Sequence, residues 1–487
     1  MTEDVDLVRQ LVELAVTSGR SHQSPQTSFV HWCHTRGDET VNHTIPLYEN
    51  FLFCLALMRM RTQQNITEAK EILARLLAFQ AEDGNYPVYL HEYPLCRDRY
   101  NGAQILVVHY WILKQFGAVL GKELKEKLHA SAEALLERYR EDKGPFHIAV
   151  KVAGSLIAFG RLLKKREMEE RGNSLLESLR EESFEENFGT WYSPTHSAEA
   201  LVGLTMVYDQ VSASPWSHFW ETLTKLWFPK ARCYAGPALK VLQSRFEPEP
   251  TLYDLFLGDF SGGYPYHAFF DHPFQLQGAL VHDSVDKLAL PEKPFEKTGI
   301  LAGHQWLMHQ EEEFAWTAME AKGSVPPELK KGYHHFRLLW GDQNKIHSLS
   351  CQGGRISRFE FEKVEGGVDL VATFGEDPEF AGRDKAEELC FYVDRHEGFE
   401  IFVWDKKATT FEFGDVLTLK GPGLKARMQF ELEEGDGRVQ GHIMPSNRPA
   451  QTELKGENRF EAYDWKIALR TIRRSGPCKV RVRVRVP

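Results

Sequence analysis

The spacing of apolar residues changes along this 487-residue chain, and that change limits the folds it can adopt. Up to about residue 270, apolar residues recur three and four positions apart, which is typical of helices. Beyond about residue 300, short segments rich in β-branched and aromatic residues alternate with glycine-rich turns. In the last segment Val480, Val482, Val484 and Val486 alternate with arginines, as in a strand with one face in a core. The pattern predicts a helical domain followed by an antiparallel β-sandwich.

The domain boundaries follow from where the pattern changes. We predict a helical domain at 1–270, a linker at 271–300 and a β-sandwich domain at 301–487. The linker carries three prolines. A chain of this length also exceeds what one hydrophobic core usually supports, which agrees with two domains.

The helical half repeats an aromatic or histidine residue at the entry of each strongly apolar helix. The spacings are 47 positions from Tyr100 to His147, 45 more to Tyr192 and 42 more to Tyr234. More charged helices lie between, and such a period indicates stacked helical hairpins. Small residues within the apolar helices favour an (α/α) toroid over an open solenoid, because they let the inner helices approach one axis. The residues predicted on one rim of this toroid are Asn42, His43, Tyr100, His147, Tyr192 and His196.

The pair Asn42–His43 stands before Pro46 and a long apolar run. Two interpretations of the pair remain open. In the first, Asn42 or Thr44 caps the following helix and Pro46 lies in its first turn, where a missing N–H has no cost. In the second, the pair faces a cleft and takes part in chemistry.

Two stretches of the helical half resemble a known family. VNHTIPLYENFLFCLAL, from Val41, resembles the Asn-His helix opening of the alginate and oligoalginate lyases. LLAFQAEDGNYPVYLHEYPLCRDRYNGAQILVV resembles their next repeat. A helical toroid followed by a β-sandwich is also similar to the heparinase II/III-like polysaccharide lyases. The resemblance implies β-elimination on uronic-acid-containing glycans. It also implies that Asn42, His43 and Tyr100 occupy the positions of the family's carboxylate-neutralising and proton-transferring residues.

These residue types suit an elimination. A carbanion that forms beside a carboxylate needs the carboxylate charge neutralised, and Asn, Arg and His donors supply this in a partly dry cleft. Tyr and His can carry the proton, with ordinary pKa values near ~10 and ~6.5. The further residues that we predict to bind the sugar are Arg99, His147, Trp191, Tyr192, His196, Tyr266 and His267.

Composition limits the partners of the chain. The formal charge of −10 argues against a general nucleic-acid-binding protein but allows local binding of an anionic glycan. We expect no membrane partner, since no apolar run looks long enough to span a bilayer. The acidic start and the seven irregularly spaced cysteines predict a cytoplasmic protein with reduced thiols. No histidine spacing matches a metal motif, so no cofactor is expected, with a structural metal in the β-domain left open.

Two other functions remain open from the sequence. An (α/α) glycoside hydrolase needs two carboxylates across a cleft, and only Glu199 lies near the opening of an inner helix. A non-catalytic carbohydrate-binding protein on a lyase-like frame fits Val41, which stands where the lyases usually show a second Asn. The carboxylates available to a hydrolase are Glu82, Asp83, Glu199, Asp254 and Asp259.

Overall fold

The computed structural model divides the chain into two compact units. Within the described residues, the first unit holds those between 2 and 184, then 195–223 and 273–281, and the second holds 224–237 and those from 291 onward. Only the backbone is described at 2–7, 32–36, 39–43, 194–195, 273–275, 322, 334, 342, 345–346, 352, 437–438, 447–449, 463–464 and 471–474. The described residues are 2–36, 39–140, 144–184, 194–231, 233–237, 273–281, 291–301, 303–322, 334–342, 345–352, 356, 358–375, 388–393, 398–435, 437–449, 463–474 and 476–486.

The first unit is built from helices, as the apolar spacing predicts. One short strand pair, β1 (Trp32–Arg36) with β2 (Glu39–Thr44), precedes the second helix. The last two residues of the helix Ser217–Lys225 belong to the second unit. The helices are α1 Thr2–Ser21, α2 Leu47–Arg59, α3 Gln63–Leu76, α4 Asn101–Phe116, α5 Lys122–Arg138, α6 Phe146–Leu163, α7 Arg166–Glu182, α8 Pro194–Thr205 and α9 Ser217–Lys225.

The helices form two classes that alternate along the chain. Helices α2, α4 and α6 are buried on nearly all sides, whereas α3, α5 and α7 bury one stripe. Each buried helix packs against the helix that follows it, and α2 contacts α4, which contacts α6. A Cβ on Gly154 of α6 would lie 2.3 Å from the carbonyl oxygen of Gly203 in α8. The small residues therefore let inner helices approach closely, as expected for hairpins of an (α/α) toroid.

Helix α6 corrects one expectation from the sequence. Among the described residues, α6 (Phe146–Leu163) is long and apolar enough, by length and composition alone, to cross a membrane. It is 83% buried within the protein. That burial is typical of a core helix, so its length reflects packing between α4, α7 and α8.

The second unit is a sandwich of two antiparallel sheets, which confirms the predicted β-fold. Its strands are β5 Phe295–Leu301, β6 His304–Gln310, β7 Phe314–Met319, β8 Ala321–Lys322, β9 His334–Asp342, β10 Lys345–Gln352, β11 Arg358–Val364, β12 Gly367–Phe374, β13 Glu388–Val393, β14 Glu400–Val403, β15 Thr410–Phe411, β16 Val416–Gly421, β17 Leu424–Glu434, β18 Gly437–Pro449, β19 Tyr463–Arg474 and β20 Cys478–Arg485. One sheet has the order β15-β18-β19-β13-β10-β9-β7-β6-β5 and the other β14-β16-β17-β20-β12-β11-β8.

The core of the sandwich lies between the sheets. Phe430 of β17 packs on Phe391 and Phe411 of the facing sheet, with ring centroids 5.9 and 5.0 Å apart. Strand β20 lies in the middle of its sheet, between β17 and β12. Its valines are buried and its arginines alternate with them, as the sequence predicts.

The segment after α9 differs from the sequence prediction. The apolar spacing predicts it in the helical domain, but the hairpin of β3 (Trp227–Phe228) and β4 (Cys233–Tyr234) belongs to the second unit. The buried guanidinium of Arg337 donates to the carbonyl oxygens of Tyr234 and Gly236 at 2.8 and 3.1 Å. These contacts join the hairpin to the nine-stranded sheet.

The predicted linker at 271–300 also differs in part. Its described portion Pro273–Leu280 is a 3₁₀ segment that packs on α1 and α2. The guanidinium of Arg59 in α2 donates to the carbonyl oxygens of Ala279 and Val281 at 2.7 and 2.6 Å. The segment that begins at Pro273 is therefore packed in the first unit, whereas Pro291 and Pro294 precede the first strand of the large sheet, which begins at Phe295.

Candidate active site

The candidate site lies where the inner helices of the first unit begin. Tyr48 is the second residue of α2, Tyr100 precedes the first residue of α4, His147 is the second residue of α6 and His196 is the third of α8. Since each inner helix is followed by a partner that returns along it, successive inner helices start at the same end of the unit. This arrangement brings together part of the predicted rim.

Two pairs of side chains meet across α6 and α8. The imidazoles of His147 and His196 stack with ring centroids 3.6 Å apart and planes inclined by 27°. One turn further along, the Lys151 ammonium donates to the Glu199 carboxylate at 3.0 Å. Residues three or four apart share one face of a helix, so each helix contributes a histidine and a charged residue to the contact. The Nε2 atom of His147 also lies 3.7 Å from Glu199 Oε2.

Burial decides the protonation of this cluster. Burial lowers the pKa of His147 to about 3, although the Glu199 carboxylate opposes the shift. Burial also lowers the pKa of His196. For Glu199, burial raises the pKa, but the charges of Lys151, His147 and His196 outweigh it and hold the pKa below its usual value. Both imidazoles are thus neutral near pH 7, and the Lys151 ammonium is the cation that stabilises the Glu199 carboxylate.

Tyr48 adds a protonated hydroxyl to the same end of the unit. Its side chain is buried, and burial, followed by the charges of Glu199 and Glu49, raises its pKa well above the usual value. A hydroxyl in this state donates hydrogen bonds and does not act as a base at neutral pH. Tyr48 is therefore suited to donate a hydrogen bond to a substrate.

Tyr100 packs against the residues that precede α6. A Cβ on Gly144 would lie 2.6 Å from the Tyr100 ring, and Gly144 has φ +72°, so glycine is required there. Gly144 stands three positions before His147, which brings Tyr100 to the opening of α6. The Arg99 guanidinium lies 6.0 Å from the centroid of the Tyr100 ring. The structure thus places Tyr100 beside the start of α6, with Arg99 next to Tyr100.

Asn42 and His43 do not cap a helix. They lie in β2, and α2 begins only at Leu47, with Pro46 as an N-cap whose side chain makes no capping bond. The capping interpretation of Asn42 or Thr44, with Pro46 inside the first turn, is therefore wrong. Pairing shifts from Trp32–Thr44 to His34–Val41, so β2 carries one extra residue at Asn42–His43. Such a bulge is common next to active sites. The side chains of both residues lie outside the described parts of the chain.

The other predicted residues make contacts outside the His147–His196 pair or lie outside the described parts of the chain. Arg99 is exposed beside Tyr100. Among the carboxylates considered for a hydrolase, Asp83 pairs with Arg138 at 2.7 Å. The predicted residues that lie outside the described parts of the chain are Trp191, Tyr192, Asp254, Asp259, Tyr266 and His267.

Sequence reasoning missed Lys151 and Tyr48. Lys151 interrupts the apolar run FHIAVKVAGSLIAFG and is 2% exposed. A lysine in such a run requires a buried partner, and its position four residues after His147 places it on the face that reaches α8. Tyr48 stands one position into α2, where aromatic residues mark the other helix openings. Both signals are present in the sequence.

Metal binding has no support in the described part of the chain. No group of three His, Cys, Asp or Glu side chains there is arranged to hold a metal ion. The expectation of no cofactor stays a prediction.

No family model and no curated protein matches this sequence. Among solved structures, a heparinase III with methylated lysines is similar at 11% identity and TM-score 0.48, over 98% of this chain and 84% of the other. The Streptomyces coelicolor A3 chondroitin AC lyase in complex with chondroitin sulphate is similar at 9% identity and TM-score 0.47, over 98% and 79%. An α-L-rhamnosidase from Dictyoglumus thermophilum gives 11% identity and TM-score 0.33, over 98% and 49%.

These likenesses include the polysaccharide lyase folds that the sequence resembles. At identities near a tenth and TM-scores below 0.5, they carry no argument about activity, and folds of this kind host more than one chemistry. The function therefore has to be argued from the residues of the site.

Proposed function

We propose that this protein is a lyase that cleaves uronic-acid-containing oligosaccharides or polysaccharides by β-elimination. The observation that supports it most is the stacked pair His147–His196, two neutral imidazoles at the openings of adjacent inner helices. A neutral imidazole has a free lone pair at neutral pH, so it can accept a proton or hold a sugar hydroxyl.

The elimination needs a base, a proton for the departing oxygen and a group that neutralises the carboxylate. The proton alpha to the uronic carboxyl leaves to a base, its electron pair forms the C4–C5 double bond, and the C4–O bond breaks with its electrons on the departing oxygen, which takes a proton. Asn42 and His43 are proposed to neutralise the carboxylate as negative charge develops, as the family resemblance implies. Tyr100 is proposed to transfer the proton, next to the opening of α6.

The glycoside hydrolase alternative fits the described cluster less well. A hydrolase needs a carboxylic acid whose pKa is raised so that it can protonate the leaving oxygen, together with a second carboxylate. The pKa of Glu199 is shifted in the opposite direction, and its carboxylate is held by Lys151. A non-catalytic glycan-binding protein stays open, because Val41 departs from the lyase pattern and the resemblance alone does not supply activity.

Product analysis tests the proposal. Purified protein is incubated with alginate, glucuronan and glycosaminoglycan fragments, and products are followed by ultraviolet absorbance and by mass. A lyase gives an unsaturated uronide that absorbs in the ultraviolet, whereas a hydrolase gives products heavier by one water without that absorbance. Absence of cleavage on every uronide would contradict the proposal and favour the binding protein.

Two tyrosine variants test whether Tyr100 transfers the proton. Tyr100→Phe keeps the ring that packs on Gly144 and removes only the hydroxyl, so turnover should fall while substrate binding changes little. Tyr93→Phe is the matched control, because Tyr93 is 42% exposed and packs its ring on Phe79. Equal turnover in both variants would exclude Tyr100 as the proton-transferring residue.

The cellular location stays a proposal as well. The six cysteines whose side chains are described are free thiols. We propose a cytoplasmic role in degrading short imported oligosaccharides. Non-reducing mass spectrometry that finds several disulfide bridges in the native protein would contradict it.

A further inference from the structure

The outer face of the seven-stranded sheet carries an unbalanced positive charge at one end. Lys420 of β16 stands directly opposite Lys425 of β17, and Arg427 of β17 stands directly opposite Arg485 of β20. The side chains of Lys420, Lys425 and Arg427 are exposed. Like charges placed directly opposite in an antiparallel sheet are destabilising. The fold therefore retains these charges at a loss of stability.

The other end of the same face is neutralised by ion pairs. Arg481 Nη1 lies 3.1 Å from Asp369 Oδ2, and Arg483 Nη2 lies 2.8 Å from Glu431 Oε2. Arg485 also forms an ion pair with Asp369, with 2.6 Å between Nη2 and Oδ1. This end shows that the sheet can place carboxylates opposite its arginines.

Among the described residues, no carboxylate is paired in this way with Lys425 or Arg427. In the part of the chain that the structure describes, neither Lys425 nor Arg427 makes an ion pair. Glu400 stands opposite Lys420 in the register, but its carboxylate pairs with Lys407 at 2.6 Å. Lysines often protect exposed edge strands from pairing with other chains, but β14 is the edge here and β16 and β17 are internal. Edge protection therefore does not explain these charges.

An exposed aromatic ring lies at the other end of β16, beside Val416. Trp404 follows β14 and is 58% exposed. Its indole Nε1 donates to Asp415 Oδ1 at 2.6 Å, and its backbone N–H donates to the carbonyl of Val416. Its φ of +48° is unusual for a bulky residue. The indole is thus held in a fixed position with more than half of its surface open to solvent.

A second aromatic ring lies beside the charges. The Lys420 ammonium lies 4.7 Å from the centroid of the Phe402 ring, which is half-buried. Flat apolar rings next to ammonium groups match a pyranose ring that carries a carboxylate or sulfate, because the ring stacks and the anion pairs. Val416, beside Trp404, and Lys420 are four residues apart on β16, which is roughly 14 Å at ~3.4 Å per residue. A glycan that reaches both must therefore be longer than a single sugar ring.

We propose that Trp404, Lys420, Lys425 and Arg427 form a secondary binding surface for an anionic glycan, separate from the helix openings of the first unit. The choice of a glycan over another polyanion rests on the proposed function. Such a surface would retain a long chain on the protein while the site in the first unit acts on it.

Binding measurements on the full-length protein test this surface. Fluorescently labelled alginate and chondroitin sulphate oligosaccharides of two lengths are titrated by anisotropy, and each glycan is checked for cleavage afterwards. For the Lys425→Gln/Arg427→Gln double variant we expect the Kd to rise about tenfold or more for the longer glycan, equivalent to about 1.4 kcal/mol. Trp404→Ala should weaken binding in the same direction. Arg166→Gln on α7 is the control, since it removes an exposed arginine of the first unit.

The variants should remain folded, because removing like charges from facing strands does not destabilise the sheet. Unfolding midpoints equal to or above that of the wild type are therefore expected. Added salt should weaken binding of the wild type more than that of the double variant, since salt screens exposed charges.

The outcomes separate this inference from the proposed activity. Glycan binding that the double variant loses, without cleavage of any uronide, supports the surface and contradicts the lyase. Cleavage with unchanged Kd in the double variant supports the lyase and overturns the surface. Absence of glycan binding by the wild type, or equally tight binding of single-stranded DNA at the same residues, overturns the surface too.

Discussion

The imidazole of His147 stacks on that of His196 with 3.6 Å between ring centroids, and neither ring is easily protonated. A proton on one ring would place a cation in a buried site, against its neighbour and near Lys151. The carboxylate of Glu199 offsets this only in part, so burial decides the outcome. The pair is therefore a neutral acceptor at the pH where most enzymes act.

Stability should fall in acid because of this pair. The folded-state pKa of His147 is about 3 and its unfolded value is near ~6.5, so the unfolded chain binds more protons between these values. The stability that depends on neutral His147 is fully present above pH ~6.5 and is lost as the pH falls toward ~3. At pH 5 the free energy of unfolding is lower by about 2 kcal/mol. We expect His147→Gln to show a smaller decrease in the free energy of unfolding from pH 7 to pH 5 than the wild type, measured in urea.

A second buried histidine provides the comparison. Burial also lowers the pKa of His109 to about 3, so the His147→Gln variant should keep part of the acid sensitivity. Adding His109→Gln should reduce it further. A His147→Gln variant with the wild-type pH dependence would contradict the assigned protonation state.

The Lys151–Glu199 pair should be strongly coupled. Lys151→Met leaves a carboxylate without its buried partner, and breaking such a pair usually costs about 3–5 kcal/mol. The Lys151→Met/Glu199→Gln double variant should recover most of that loss, since no buried charge remains. A double-mutant cycle of unfolding free energies measures the coupling. The exposed pair Arg166–Glu170 on α7 is the control, where only about 0.3–0.5 kcal/mol is expected.

The broad fold could be predicted from the sequence because its signals are local. The alternation of valine and arginine from Val480 predicts a strand with one buried face, and β20 has that face. The apolar runs predict inner helices, and their small residues predict close contact, as Gly154 shows. Periodicity reports which side of an element is buried, and burial is what assembles the layers.

The site could be predicted only in part, because its contacts join distant segments. Lys151 and Glu199 are 48 positions apart, and their pairing depends on how α6 and α8 are rotated against each other. At Asn42 the local signals allow a helix cap, whereas the backbone instead pairs with Trp32–Arg36 as a bulged strand. Strand pairing of this kind is a tertiary contact that overrides local preference.

The close approach of α6 and α8 gives a further test of the fold. An alanine at Gly154 places its Cβ 2.3 Å from the Gly203 carbonyl oxygen, so the helices must separate. We expect Gly154→Ala to lower the free energy of unfolding by about 1–3 kcal/mol, as for other overpacked cores. Gly476→Ala is the control, because no atom lies within 4 Å of the point that its Cβ would occupy. Equal unfolding midpoints for both variants would contradict the packing of these helices.

The role of Asn42 is the decisive test of the proposed chemistry. Because α2 is capped at Pro46 and not at Asn42, Asn42→Ala should not show the ~1 kcal/mol loss typical of a removed helix cap. If Asn42 donates to a substrate carboxylate as charge develops, turnover should fall about 10²–10³-fold with a smaller change in KM. The assay follows ultraviolet product formation on the uronide that the wild type cleaves best. Normal turnover in Asn42→Ala would exclude Asn42 from catalysis, and a loss of turnover matched by unfolding would reduce its role to structure.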